Sequence, residues 1–299
     1  MNKKNFELWY NQALEFMEAR EYEKAARALA FALAIIKDHA QAWALKGSAY
    51  FMLQNYREAA AAMERAIGAG ADDFNVWFIK GYSLVAAGAY AQAIDSLDCA
   101  LAHNDQDSEA WYYRAFALSC LGKNQEALRA YDHAIRKNPK DIDLLCYKGF
   151  LLCDLDRHDE ATALFAKCLR KDPKHLLALI NIAERHIVAG KTDKGIREAR
   201  KTIRLTVDTE FILIGRWLII AGLFLKDRPK QAQKELKILV DYVNSIKKLP
   251  RVTDWSFECM TELINRKLAP PNQKLLLSLI SVLTGETSRR SLGSMCERL

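Results

Sequence analysis

The chain has 299 residues, 51% of them hydrophobic, with only 13 Gly and 6 Pro; that suffices for a substantial core and excludes a loop-rich or disordered chain. A formal charge of +7 without any dense Lys/Arg block permits an acidic partner, while nucleic acid and anionic membrane are disfavoured. Seven cysteines, an odd number in a long chain, exclude a disulfide framework and read as small hydrophobes in a reducing, cytoplasmic setting; no pair has zinc-site spacing, so no metal and no cofactor is expected.

The first residues, MNKKNFELWY, run straight into a helical pattern with no apolar leader segment. Trp9, Trp43, Trp77 and Trp111 then follow one another at a constant interval, and their surroundings recur with them. A period of this length, about 34 residues, marks stacked helix pairs. Successive units open near Phe6, Ala40, Phe74, Ser108, Ile142 and Leu176. Small residues (Gly47, Gly81, Ala115, Gly149) are expected where the first helix of a pair crosses the second, and Ala59, Ala93, Ala127 and Ala161 answer them from the second helix. Pro139 and Pro173 close second helices.

After the sixth unit the phase slips by about three residues, which places an insertion near 207–211. A seventh, shifted pair occupies 208–248. "KLPRVTDW" reads as a loop, and helices are expected over 254–267 and 272–284, split by "LAPPNQ". Residues 249–299 are then a C-terminal helical cap with a frayed tail. The most apolar stretch, Phe211–Leu225, is short and carries Arg216, so it reads as a buried helix and not a membrane span.

Trp, Gly/Ala, Tyr, Ala, an aromatic, Ala and Pro at fixed places in each unit make the sequence resemble the tetratricopeptide repeat family. The resemblance covers residues 1–207, six tandem repeats. It implies an all-α, right-handed α-α superhelical solenoid whose first helices line a concave groove. Positions 5, 9 and 12 of each unit would face that groove: Tyr10, Phe51, Phe78, Tyr82, Tyr112, Phe116 and Phe150, with Ile180, Glu184 and Ile187 at the far end. Such an aromatic stripe suits an apolar or amphipathic peptide. Two other readings stay open, in which the rings simply pack between units or the chain's own C-terminal segment fills the groove. Many members of the family clamp a peptide carboxylate; the corresponding places here hold Tyr10, Leu14, Leu45, Asn75 and Ile79, so that mode is not expected.

A second surface comes from the sixth unit, where Lys194, Arg197, Lys201 and Arg204 recur at helical spacing as a dock for an acidic partner. No phosphate loop, metal-binding His pair or nucleophile setting is present in the sequence. The expectation is a non-catalytic protein-binding scaffold. The alternative is a self-associating structural or regulatory subunit, a homodimer included, with its groove filled from within.

Overall fold

A computed structural model describes residues 2–247, 250, 252 and 257–286. Among these the chain is all α-helical, sixteen helices without a strand. It divides into two compact units, Met1–Leu144 and Leu145–Leu299.

The first unit holds four helix pairs: α1 (Asn2–Glu18) with α2 (Tyr22–Ile35), α3 (Ala40–Met52) with α4 (Tyr56–Gly68), α5 (Phe74–Ala86) with α6 (Tyr90–His103), and α7 (Ser108–Cys120) with α8 (Asn124–Lys137). Three residues separate the partners of every pair, and each helix packs on the next in order. The turns share one device. The residue two before the second helix adopts a left-handed conformation, as at Arg20 (φ 59°), Gln54 (φ 60°), Gly88 (φ 78°) and Gly122 (φ 71°). First helices start from side-chain caps: His39 Nδ1 accepts from Ala42 N (3.1 Å), and Asp73 and Asp107 take amides of α5 and α7.

The repeated tryptophans tie each pair to the turn before it. The Trp43 indole N–H donates to the Lys37 carbonyl (2.7 Å), that of Trp77 to Asp72 (2.7 Å) and that of Trp111 to the Asp105 carbonyl (2.9 Å). Close helix approach is enforced by the small residues. A Cβ on Gly81 would fall 2.7 Å from Leu97 Cγ, and the facing Ala93 and Leu97 are fully buried. A larger side chain there would drive α5 from α6.

The second unit contains α9 (Asp143–Asp154, which begins at the boundary), α10 (His158–Lys171), α11 (Leu176–Val188), α12 (Thr192–Leu205), α13 (Thr209–Leu225), α14 (Pro229–Ser245), α15 (Glu258–Lys267) and α16 (Pro270–Leu283). Its core gathers α11 to α16 around Trp217, which is fully buried, lies edge-on to Phe257 (5.0 Å) and donates to the Leu276 carbonyl (3.3 Å). Residues 211–225 are thus the centre of a packed helix, and no described helix is long and apolar enough to cross a membrane.

The phase slip, expected from an insertion near 207–211, coincides with a longer helix that starts at Thr209. The starts of α9, α11 and α13, at Asp143, Leu176 and Thr209, are evenly spaced, but α13 runs 17 residues where α11 runs 13. The extra residues form about one more helical turn, which leaves the buried face in register. The Pro270–Pro271 pair acts otherwise than expected: it opens α16 at its first positions instead of lying in a loop, because a proline there has no N–H to forfeit. The expected loop at 248–255 falls mostly outside the described residues, as does the tail beyond 286.

Candidate functional site

In the first unit, first helices of successive pairs touch one another (α3 with α5, α5 with α7). Where they meet, five rings converge. Tyr82 is central: Phe51 lies 4.9 Å away at 80°, Tyr56 at 5.7 Å, Phe78 at 6.4 Å and Tyr113 at 4.4 Å. Phe78 also reaches Tyr113 (6.3 Å) and stacks on Phe74 (5.4 Å). All five are half-buried, so each keeps a solvent-facing edge.

The polar ends of this cluster are coupled. Burial raises the Tyr113 phenol well above the usual range, helped by its hydrogen bond with Tyr82 and by the charge of Glu109. Burial, then repulsion from Asp107, raises Glu109, while a hydrogen bond from Tyr113 opposes the rise. Burial and the Tyr82 hydroxyl likewise raise Tyr56. Tyr56 and Tyr113 thus hold their hydroxyl protons more firmly than exposed phenols do, with the Glu109 carboxyl beside Tyr113.

Of the residues expected to line the groove, Phe51, Phe78 and Tyr82 come together. Tyr10 stands apart, stacked on Phe6 (5.6 Å) beside His39. Tyr112 turns toward Tyr131 of α8 (6.2 Å) and touches Tyr113 (4.8 Å). Phe116 is 37% exposed next to Tyr90 (6.3 Å). Phe150 belongs to the second unit, between Tyr147 and Phe165. Tyr113 and Tyr56 were not expected. Tyr113 sits one position from the expected stripe, whereas Tyr22, Tyr56 and Tyr90 recur at the repeat interval, a signal available in the sequence.

The far end of the expected groove is closed. Ile180 and Ile187 of α11 are 0% and 1% exposed and join the cluster that contains Phe257, Met260, Leu263 and Ile264; α15 packs directly on α11. Glu184, expected to face the groove, is buried with them. Desolvation pushes it up to about 7 against the pull of Arg185, and its Oε1 has no partner among the described atoms.

Lys194, Arg197, Lys201 and Arg204 lie exposed along α12, as their spacing implied. Lys201 donates to the Pro173 carbonyl (2.9 Å). The neighbouring Arg200 pairs with Glu235, and Asp193 with Lys226 and Arg228.

The structure also brings together cysteines that sequence spacing kept apart. Cys146 and Cys168 approach to 3.8 Å, and His175 offers a third donor within 4.8 Å. A closed zinc site needs four ligands, and His175 Nδ1 already takes the Ala178 N–H as a helix cap.

Tetratricopeptide repeat models match residues 10–75, 108–141 and 130–163. A solved repeat protein, YrrB, described as having an unusual peptide-binding site, shares 25% identity over 57% of this chain and 88% of its own, with a TM-score of 0.54. The C-terminal part of a repeat protein from Cytophaga hutchinsonii (14% identity, TM-score 0.65) covers 80% of this chain and 96% of its own. One from Parabacteroides merdae (15% identity, TM-score 0.63) covers 88% and 98%. These two similarities bear on fold alone. Among curated proteins none matches significantly.

Proposed function

The chain belongs to the tetratricopeptide repeat family, and from that premise we propose that it is a non-catalytic scaffold that holds an apolar or amphipathic peptide segment against the first helices of its first unit. One observation carries the reading: Phe51, Phe78, Tyr82 and Tyr113 form a continuous, half-buried ring cluster along α3, α5 and α7, joined by Tyr56 from the start of α4. Rings held rigid by mutual contact present large area at little entropic cost, which is what binding hot spots use. The phenols and Glu109 at the margin would fix the segment's orientation through hydrogen bonds. The likeness to YrrB, a peptide-binding repeat protein, supports the same reading.

The second reading, a groove filled from within, is favoured in the second unit by the contact of α15 with α11. We assign it to that unit only, where it removes Ile180 and Ile187 from access. The exposed row Lys194, Arg197, Lys201 and Arg204 would then serve an acidic partner independently.

The test is affinity capture with the full chain beside a Tyr82→Ala/Tyr113→Ala variant of matched helicity and mass. A protein retained by the wild type alone places the docking site on the ring cluster. Equal retention by both moves it to α12 or the C-terminal helices.

A further inference from the structure

A second groove lies in the first unit, on the side away from the ring cluster. It has a volume of about 780 Å³; α5 forms its floor, and α4 and α6 its walls. Comparison with equivalent positions in the neighbouring repeats explains why it is open. Ala60, Ala61 and Ala87 line it, where the next repeat places Ile94, Asp95 and Leu121. The most telling difference is at Cys99, beside Trp77. In the first repeat that position is Phe31, whose ring lies 4.8 Å from Trp9; in the fourth it is His133, stacked on Trp111 at 4.3 Å and 17°. The third repeat, like the second with Arg65 at this position, keeps the tryptophan and lacks a covering ring, but it fills the place with the short Cys99 side chain and so leaves the space open.

The charges on the groove balance. Lys80 pairs with Glu64, while Arg57 and Asp95 line it with opposite signs. Selection must therefore come from shape and stacking rather than from net charge. We propose that this groove is a docking site for an aromatic side chain carried by a segment of another protein, its ring taking on Trp77 the place that Phe31 and His133 hold on Trp9 and Trp111. The alanine walls leave room for the backbone on either side of that ring. The site is separate from the ring cluster on α3, α5 and α7 and does not depend on it.

The experiment follows the Trp77 indole N–H by NMR in the full chain, with the signal assigned through Trp77→Phe. N-acetylphenylalaninamide and N-acetylleucinamide are the probes. The expected result is a saturable shift at Trp77 with the aromatic amide, absent at Trp111, and roughly tenfold weaker with the leucine amide. Cys99→Phe, which supplies the missing ring from within, should abolish the shift. Ala60→Ile, which copies the next repeat, should do the same and serves if the first variant folds poorly. Equal shifts with the two amides, or a shift that survives both substitutions, would overturn the proposal. Self-association of the free chain that Cys99→Phe removes would overturn the assignment to a foreign segment in favour of a second copy.

Discussion

Tyr82 of α5 and Tyr113 of α7 meet edge to face, 4.4 Å apart at 64°, and so join two successive helix pairs through their first helices. The contact has a structural consequence and, under the proposed function, a binding one, and the two separate by experiment. An aromatic pair of this geometry contributes about 0.5–1.5 kcal/mol beyond its buried area. A double-mutant cycle on Tyr82→Leu and Tyr113→Leu, read by denaturant unfolding, should return a coupling in that range. If the cluster is the docking face, each single variant should also weaken partner binding while its helical signal stays intact. Coupling indistinguishable from zero would mean that the rings touch without interacting energetically.

Backbone strain offers a gain in stability. The turn position filled by Gly88 and Gly122 is filled by Gln54 in the second repeat, at φ 60°. Gln54 is exposed, so its side chain has little packing to lose. A non-glycine residue in the left-handed region costs about 1 kcal/mol, part of which glycine returns as unfolded-state entropy. Gln54→Gly should therefore raise stability by about 0.5 kcal/mol, seen as a higher thermal midpoint. Gly88→Ala, the reverse change at an equally open position where a Cβ meets nothing within 4 Å, should lower it. A fall on Gln54→Gly would show that the side chain does more than tolerate the turn.

Glu184 sets a pH dependence whose sign follows from burial. Its carboxyl titrates near 7 in the folded chain, against about 4.5 when unfolded, because desolvation outweighs Arg185. Between those values the folded state holds the extra proton, so stability from this group is complete below about 4.5 and is lost as pH rises through 7. The swing is of order 3 kcal/mol. His186, lowered chiefly by its own burial, acts oppositely, with stability lost as pH falls below its ordinary range. Comparison with Glu184→Gln isolates the carboxyl. The difference between wild type and variant in denaturant midpoint should change across pH 4.5–7 and be flat above it. A constant difference would place Glu184 in contact with solvent.

The repeat architecture was legible because the regular recurrence of Trp, Gly and Ala is itself the packing rule: Gly81 must be small because Leu97 sits against it. The covered face of α11 was not legible. Its lid, α15, lies four helices further along the chain and outside the repeat phase, so no periodicity in the sequence links Ile180 to Met260. The pairing of Cys146 with Cys168 was hidden for a related reason. The two are distant in sequence and meet only when α9 and α10 fold back on each other. Within the ring cluster, Phe51, Phe78 and Tyr82 followed from the expected stripe. Tyr113 did not, because successive helical residues are about 100° apart and the stripe is wider than the positions counted for it.

The repeats also share an ion-pair pattern with one gap. Lys80 lies over Trp77 (5.1 Å) and pairs with Glu64 of the preceding second helix; Arg114 lies over Trp111 (5.7 Å) and pairs with Asp98. Lys46 lies over Trp43 (5.0 Å) in the same way, but the position matching Glu64 and Asp98 is Ala30. Burial lowers the Lys46 ammonium, and no carboxylate among the described residues offsets it. Ala30 is exposed on α2, so a longer side chain meets no packing there. Ala30→Glu should supply the missing partner and stabilise the first unit by a few tenths to about 1 kcal/mol at low salt, as for other partly exposed pairs. Molar salt should erase most of that gain through screening. The thermal midpoints of wild type and Ala30→Glu at the two ionic strengths check it. An increase that salt leaves unchanged would attribute the effect to helix propensity, and no increase at all would show that Lys46 is already satisfied by its contacts with Trp43 and Tyr50.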